Sequence, residues 1–149
     1  MRIFLVHHGE AVTPDVDAQR PLSAVGRVSV EALARQVARR GATPGVVWHS
    51  GKLRARQTAE AFWRACNPLG EYGAARGLRP TDPPAWIVDR LFGETRDVML
   101  VGHQPNLARV LALLLGLDEA AVTFPPHGVV VLGGDGERDW QELWRLPAE

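Results

Sequence analysis

Several features that would limit function at once are scarce or missing in this sequence. Among 149 residues there is a single cysteine, Cys66, which excludes an internal disulfide framework and points to a reducing compartment. Cys66 falls in a helical pattern, where a small buried hydrophobe is expected. Net charge is absent, because seventeen Lys and Arg are offset by seventeen Asp and Glu. No overall field draws the chain to nucleic acid or an anionic membrane, so neither is expected as a partner and any ligand must be read from a local site. No run approaches the ~18 apolar residues of a membrane helix, and the apolar core of MRIFLVHH is too short for a secretory signal. A cytoplasmic location is therefore expected. There is no H-x-x-x-H or paired-cysteine spacing; a zinc site would have to assemble His7, His8 and His103, and no metal or other cofactor is expected. Without repeats, low-complexity tracts or a linker, residues 1–149 read as one domain.

What is present alternates. Ile3–Val6, Gly45–Trp48, Val98–Val101 and Val129–Leu132 are short, branched and apolar, as buried strands are. Ser23–Arg40 has helical spacing, with Val25, Val28, Leu33, Val37 and Ala38 expected on the inner face. Ser23 is positioned to cap it and Gly41 to end it. Further helices are expected over Lys52–Cys66, Pro84–Phe92 and Pro105–Leu115, the last stopped by Gly116. Asn67–Pro83 reads as loop. Alternating strands and helices imply a three-layer α/β/α sandwich with a mostly parallel central sheet. Gly128–Gly133 and Trp140–Arg145, separated by GDGERD, add a C-terminal antiparallel hairpin.

In such a sheet, ligands gather beyond the carboxyl ends of the strands. The strand ends here carry His7-His8-Gly9-Glu10, then His49-Ser50 with Lys52, Arg54 and Arg56, then Gly102-His103-Gln104. Imidazoles and guanidiniums on one rim suit an oxyanion, phosphate above all. His7 and His8 would project to opposite sides of a strand unless the chain turns, which Gly9 permits. His103 opens a helix whose N-terminus attracts anions. His49 and His127 read as structural. Arg54 and Arg56 lie about 200° apart on a helix, so only one can face the rim.

The order LVHHGE, SGKLRARQTA (Ser50–Ala59) and VGHQPN (Val101–Asn106) resembles the histidine phosphatase, or phosphoglycerate mutase-like, superfamily. The short chain, RPLSAVGR (Arg20–Arg27) and GLRPTDPP resemble its SixA-like phosphohistidine phosphatase branch. The resemblance implies that His8 is a nucleophile that accepts a phosphoryl group and passes it to water, without metal. Arg54 and His103 would then be catalytic groups gripping phosphoryl oxygens. His7, Gly9 and Arg20 would join Arg54 and His103 in binding phosphate. A phosphate-bearing substrate follows, such as a phosphohistidine-containing protein domain or a small phosphoester.

The chain departs from this pattern in two ways. Arg-His-Gly is replaced by His7-His8-Gly9, exchanging a permanent charge for an imidazole of ordinary pKa about 6.5. That predicts a weaker phosphatase favoured at mildly acidic pH, or else a catalytically silent phosphate- or phosphohistidine-binding module. There is also no evident general acid: Glu71, Asp82 and Glu10 are the candidates. A phosphoramidate leans less on such an acid, which points toward phosphohistidine.

Overall fold

A computed structural model of the chain describes residues 1–135 and 139–149. The strands are β1 (Arg2–His7), β2 (Val46–His49), β3 (Glu71–Ala74), β4 (Val98–Gly102), β5 (Val129–Gly133) and β6 (Gln141–Leu146). The helices are α1 (Ala24–Arg39), α2 (Leu53–Cys66), α3 (Pro84–Leu91) and α4 (Asn106–Leu115). One sheet runs in the order β3-β2-β4-β1-β5-β6. β1 to β4 are parallel, whereas β5 pairs antiparallel with both β1 and β6. The centre of the expected hairpin turn, 136–138, lies outside the described residues.

Successive strand residues face opposite sides of the sheet, and the core divides accordingly. Ile3, Leu5, Val98, Leu100, Val130 and Leu132 pack with α3 and α4. Phe4, Val6, Met99, Val101, Val129 and Val131 pack with α1 and α2. The three-layer sandwich with a mostly parallel sheet and a C-terminal hairpin is thus present. Among the described residues no helix is long and apolar enough to cross a membrane.

The helix ends follow their signals. Ser23 accepts the Gly26 N–H at 2.9 Å, and Gly41 and Gly116 take the left-handed φ values of 85° and 67°. Three expectations need correction. Asn67–Pro83 is not all loop: EYGA forms β3, a short strand at the sheet edge beside β2, and its glycine and half-exposed side chains give no apolar run to read. Val25 and Val28 are not on the inner face of α1; each is 68% exposed. The buried set is Gly26, Val30, Leu33, Ala34 and Val37, which puts the true stripe on the side where the smallest residue sits. Cys66 is half-buried rather than buried, and burial pushes its thiol up to about 11.

That stripe seats the functional edge. A Cβ on Gly9 would lie 2.3 Å from Val30 Cγ2, and one on Gly26 would lie 2.0 Å from the Glu10 carbonyl oxygen. The chain leaving β1 therefore lies directly against α1. Gly9 serves that close approach, and its φ is not left-handed.

Candidate active site

β1 delivers His7 and then His8 to the carboxyl edge of the sheet, where His8 N–H bonds to the Gly102 carbonyl of β4 at 3.0 Å. The parallel register of β1 with β4 brings His103 alongside. The His8 and His103 ring centroids are 4.8 Å apart, and those of His7 and His8 are 4.6 Å apart. The two neighbouring histidines do share one cluster, because the chain leaves strand geometry after His7.

His8 is 8% exposed, and its Nδ1–H donates to the Gly9 carbonyl at 2.7 Å. With the proton fixed on Nδ1, the Nε2 lone pair is free. Burial, above all, lowers its pKa to about 4, the nearby charges of Arg54, His127 and Arg20 adding to the effect. At neutral pH the ring is an uncharged base. The peptide that orients it is itself held, since Gly9 N–H donates to Thr58 Oγ1 at 3.0 Å and that hydroxyl donates to the Arg54 carbonyl at 2.8 Å. Thr58 is fully buried in α2; its place in the RARQTA motif was visible, its bridging contact was not.

His103 is 2% exposed, and its pKa is lowered to about 3, first by burial and then by the charges of His8, Arg54 and Lys52. Ser50 Oγ accepts the Lys52 N–H at 3.3 Å and lies 2.7 Å from His103 Nε2. When the Ser50 hydroxyl donates to Nε2, the His103 proton sits on Nδ1. Among the described residues Nδ1 is buried without a partner, as is Arg54 Nε. Buried polar atoms are seldom left unpaired. Two such groups beside one unprotonated imidazole fit a cradle whose acceptor comes from a ligand.

Arg20, at a left-handed φ of 51°, donates Nε–H to the Val12 carbonyl at 3.0 Å. Burial first, and then the charge of Arg20, lowers the pKa of Arg54. Among the described residues, neither Arg20 nor Arg54 has a carboxylate partner. Arg56 is exposed, so Arg54 is the guanidinium turned inward.

His7 departs from expectation. Its Nδ1 accepts the His127 N–H at 2.8 Å, so the neutral ring carries its proton on Nε2. Burial first, then the charges of His8, His127 and Arg54, lowers its pKa to about 3. Without a bound anion His7 does not carry the charge of the missing arginine.

His127, read from the sequence as structural, lies inside the cluster. Its ring stacks on His7 with centroids 4.6 Å apart and planes 10° apart, and its Nδ1–H donates to the His8 carbonyl at 2.6 Å. Because β5 runs antiparallel to β1, the residue that precedes it lies at the edge where parallel strands end. The hairpin signal held that information, had it been followed to the sheet edge. His49, by contrast, accepts the Gly51 N–H at 3.0 Å and packs on Tyr72, as a structural histidine does.

Ring nitrogens of His7, His8 and His127 lie within 4.8 Å of one another. The metal-sized cluster therefore includes His127 rather than His103. His7 Nδ1 is already engaged as an acceptor and two guanidiniums stand close by, so the donor set suits an anion better than a cation. Of the carboxylates, Glu71 begins β3 at the opposite edge and pairs with Arg96 at 3.2 Å. Asp82 accepts the Arg79 N–H at 3.0 Å, and exposed Glu10 lies 3.4 Å from Ser23 Oγ.

No protein-family model and no curated protein sequence matches the chain. The likeness is found among solved structures. A SixA from Agrobacterium tumefaciens, assigned as a phosphohistidine phosphatase, is 27% identical with a TM-score of 0.80, covering 97% of this chain and 96% of its own. The protein histidine phosphatase SixA complexed with tungstate is 22% identical with a TM-score of 0.86, covering 99% and 97%. A mycobacterial glucosyl-3-phosphoglycerate phosphatase is 17% identical with a TM-score of 0.72, covering 99% of both chains. Over nearly the whole chain the likeness is to SixA phosphohistidine phosphatases and other members of the histidine phosphatase superfamily, and the fold is phosphoglycerate mutase-like.

Proposed function

We propose that the protein is a phosphatase acting through a phosphohistidine intermediate on His8, with phosphohistidine of a protein as its principal substrate and no metal required. The observation that carries the reading is the pairing of an unprotonated His8 Nε2, its tautomer fixed by the Gly9 carbonyl, with the unpartnered donors His103 Nδ1 and Arg54 Nε. The His8 Nε2 lone pair attacks phosphorus in line, and the bond to the leaving group breaks with its electron pair going to that group. Arg54, Arg20, His103 and the Nε2–H of His7 take the equatorial oxygens, where charge is spread in the transition state. Water then attacks phosphorus and the electrons of the P–N bond return to His8.

A proton must move in both halves, and His127 has the placement to carry it. Its ring packs against those of His7 and His8, with centroids 4.6 and 5.8 Å away, and its Nδ1 is held by the His8 carbonyl, so Nε2 is the atom through which a proton can pass. It gives that proton to the departing group and recovers one from the attacking water. A phosphoramidate, protonated on its leaving nitrogen, calls on this step least.

The test is to mix the protein with a radiolabelled phosphoramidate, quench in alkali, and map acid-labile phosphate. Label on His8, and none on His8→Ala, is the expected result. An unlabelled wild type showing only a phosphate-dependent thermal shift would replace this reading with that of a binding module.

A further inference from the structure

Beside His103, on the far side of Ser50, a groove of about 430 Å³ is lined by Ser50, Gly51, Arg76, Arg79, Trp86 and Arg90, with Asp82 among them. Three arginines and one carboxylate line it, and the Asp82 Oδ2 atom is already engaged by the Arg79 N–H at 3.0 Å. None of the three arginines forms an ion pair among the described residues. Two are nevertheless held in place: the Arg76 guanidinium lies 3.7 Å over the Trp86 ring and that of Arg90 lies 4.4 Å over Trp48. Stacking fixes the plane of a guanidinium while leaving its edge N–H donors free.

The groove is also tied to the reaction centre. Asn106, fully buried at the start of α4, gives both amide hydrogens to the carbonyls of Gly77 and Asp82, at 3.1 and 2.9 Å. The loop that carries Arg79 is thereby pinned three residues beyond His103. Ser50, which lines the groove, is the residue bonded to His103.

We infer that this groove is a second anion subsite, taking a carboxylate or phosphate group of the substrate other than the one transferred. The inference rests on the phosphatase reading for the word substrate, but its binding test does not. Preferred substrates are then polyanions: a phosphohistidine flanked by acidic side chains, or a small molecule with two phosphates.

The experiment measures binding without turnover. Fluorescent peptides carrying a non-hydrolysable phosphohistidine analogue, flanked by Glu or by Ala, are titrated against the wild type and an R76Q/R79Q variant by anisotropy at 50 and 300 mM salt. A second arm compares an organic bisphosphate with its monophosphate as competitors. Rim ion pairs of this kind give about a five- to tenfold ratio of Kd at low salt. That ratio, shrinking with salt and falling to near one in R76Q/R79Q, is the expected result in at least one arm, and the arm that shows it identifies the source of the anion. Equal affinity within both pairs for the wild type, or a ratio that survives in the variant, overturns the subsite. Failure of His8 to take label in the separate phosphoramidate experiment would overturn the phosphatase reading alone.

Discussion

Replacing Thr58 by valine removes one hydroxyl and almost no volume, yet that hydroxyl joins the peptide orienting His8 to the carbonyl of Arg54. In T58V the Arg54 carbonyl keeps its place in α2, while the Gly9 N–H is left buried without an acceptor. Such a loss costs about 1–3 kcal/mol. For a chain of this length a central value of ~2 kcal/mol lowers Tm by roughly 4–8 °C. The same peptide presents the carbonyl that takes the His8 Nδ1–H. Once its N–H is unpaired the peptide can rotate, and His8 loses both its aim and its fixed tautomer. Phosphoenzyme formation should slow by roughly ten- to a hundredfold, the scale of a small misplacement of reacting groups. T58S, which keeps both hydrogen bonds, should stay within ~1 kcal/mol and a few-fold of the wild type. Thermal unfolding, rapid-quench labelling and the ¹⁵N chemical shifts of the His8 ring read the three effects separately. T58V that melts early but labels at the wild-type rate, with His8 still protonated only on Nδ1, would refute the positioning argument.

Other perturbations give equally definite outcomes. Stability should fall on acidification from pH 6.5 toward 4.5: the unfolded histidines take up protons near 6.5, while folded His7, His8 and His103 refuse them until about 3, 4 and 3. A Tm that is flat across that window, which lies above the ordinary carboxylate range, would contradict their burial as neutral rings. His127→Asn suits the left-handed φ of 55° and can still donate to the His8 carbonyl, but it cannot carry a proton. Turnover of alkyl phosphates should drop about a hundredfold while activated aryl esters change little, and equal loss on both would assign His127 a structural role. Gly9→Ala should destabilise by about 1–3 kcal/mol through overpacking against Val30, and Val30→Ala in the same chain should restore part of the loss in a urea titration.

The sequence made the sheet, its helices and the His8–Arg54–His103 trio legible because each rests on a local signal: a branched run, a cap, a motif at a strand end. β3 escaped because EYGA, at the edge of the sheet, has no need to be apolar. The inner face of α1 was misjudged because two exposed valines outweighed Gly26, whose worth lies in what it lacks. His127 escaped for a topological reason. It is 119 residues from His8, and only the reversed direction of β5 brings it back to the same edge. The tautomer of His7 is set by a backbone N–H from that same returning segment, so no local reading of His7-His8-Gly9 could have supplied it.

Where α1 meets the exit of β1, Gly9 is set against the Val30 side chain but Gly26 against the Glu10 peptide itself. A side chain can turn aside when its neighbour grows; a peptide unit cannot. The floor beneath the nucleophile consequently behaves as a hard stop at Gly26, where variation is tolerated far less readily than at Gly9, whose neighbour can be trimmed.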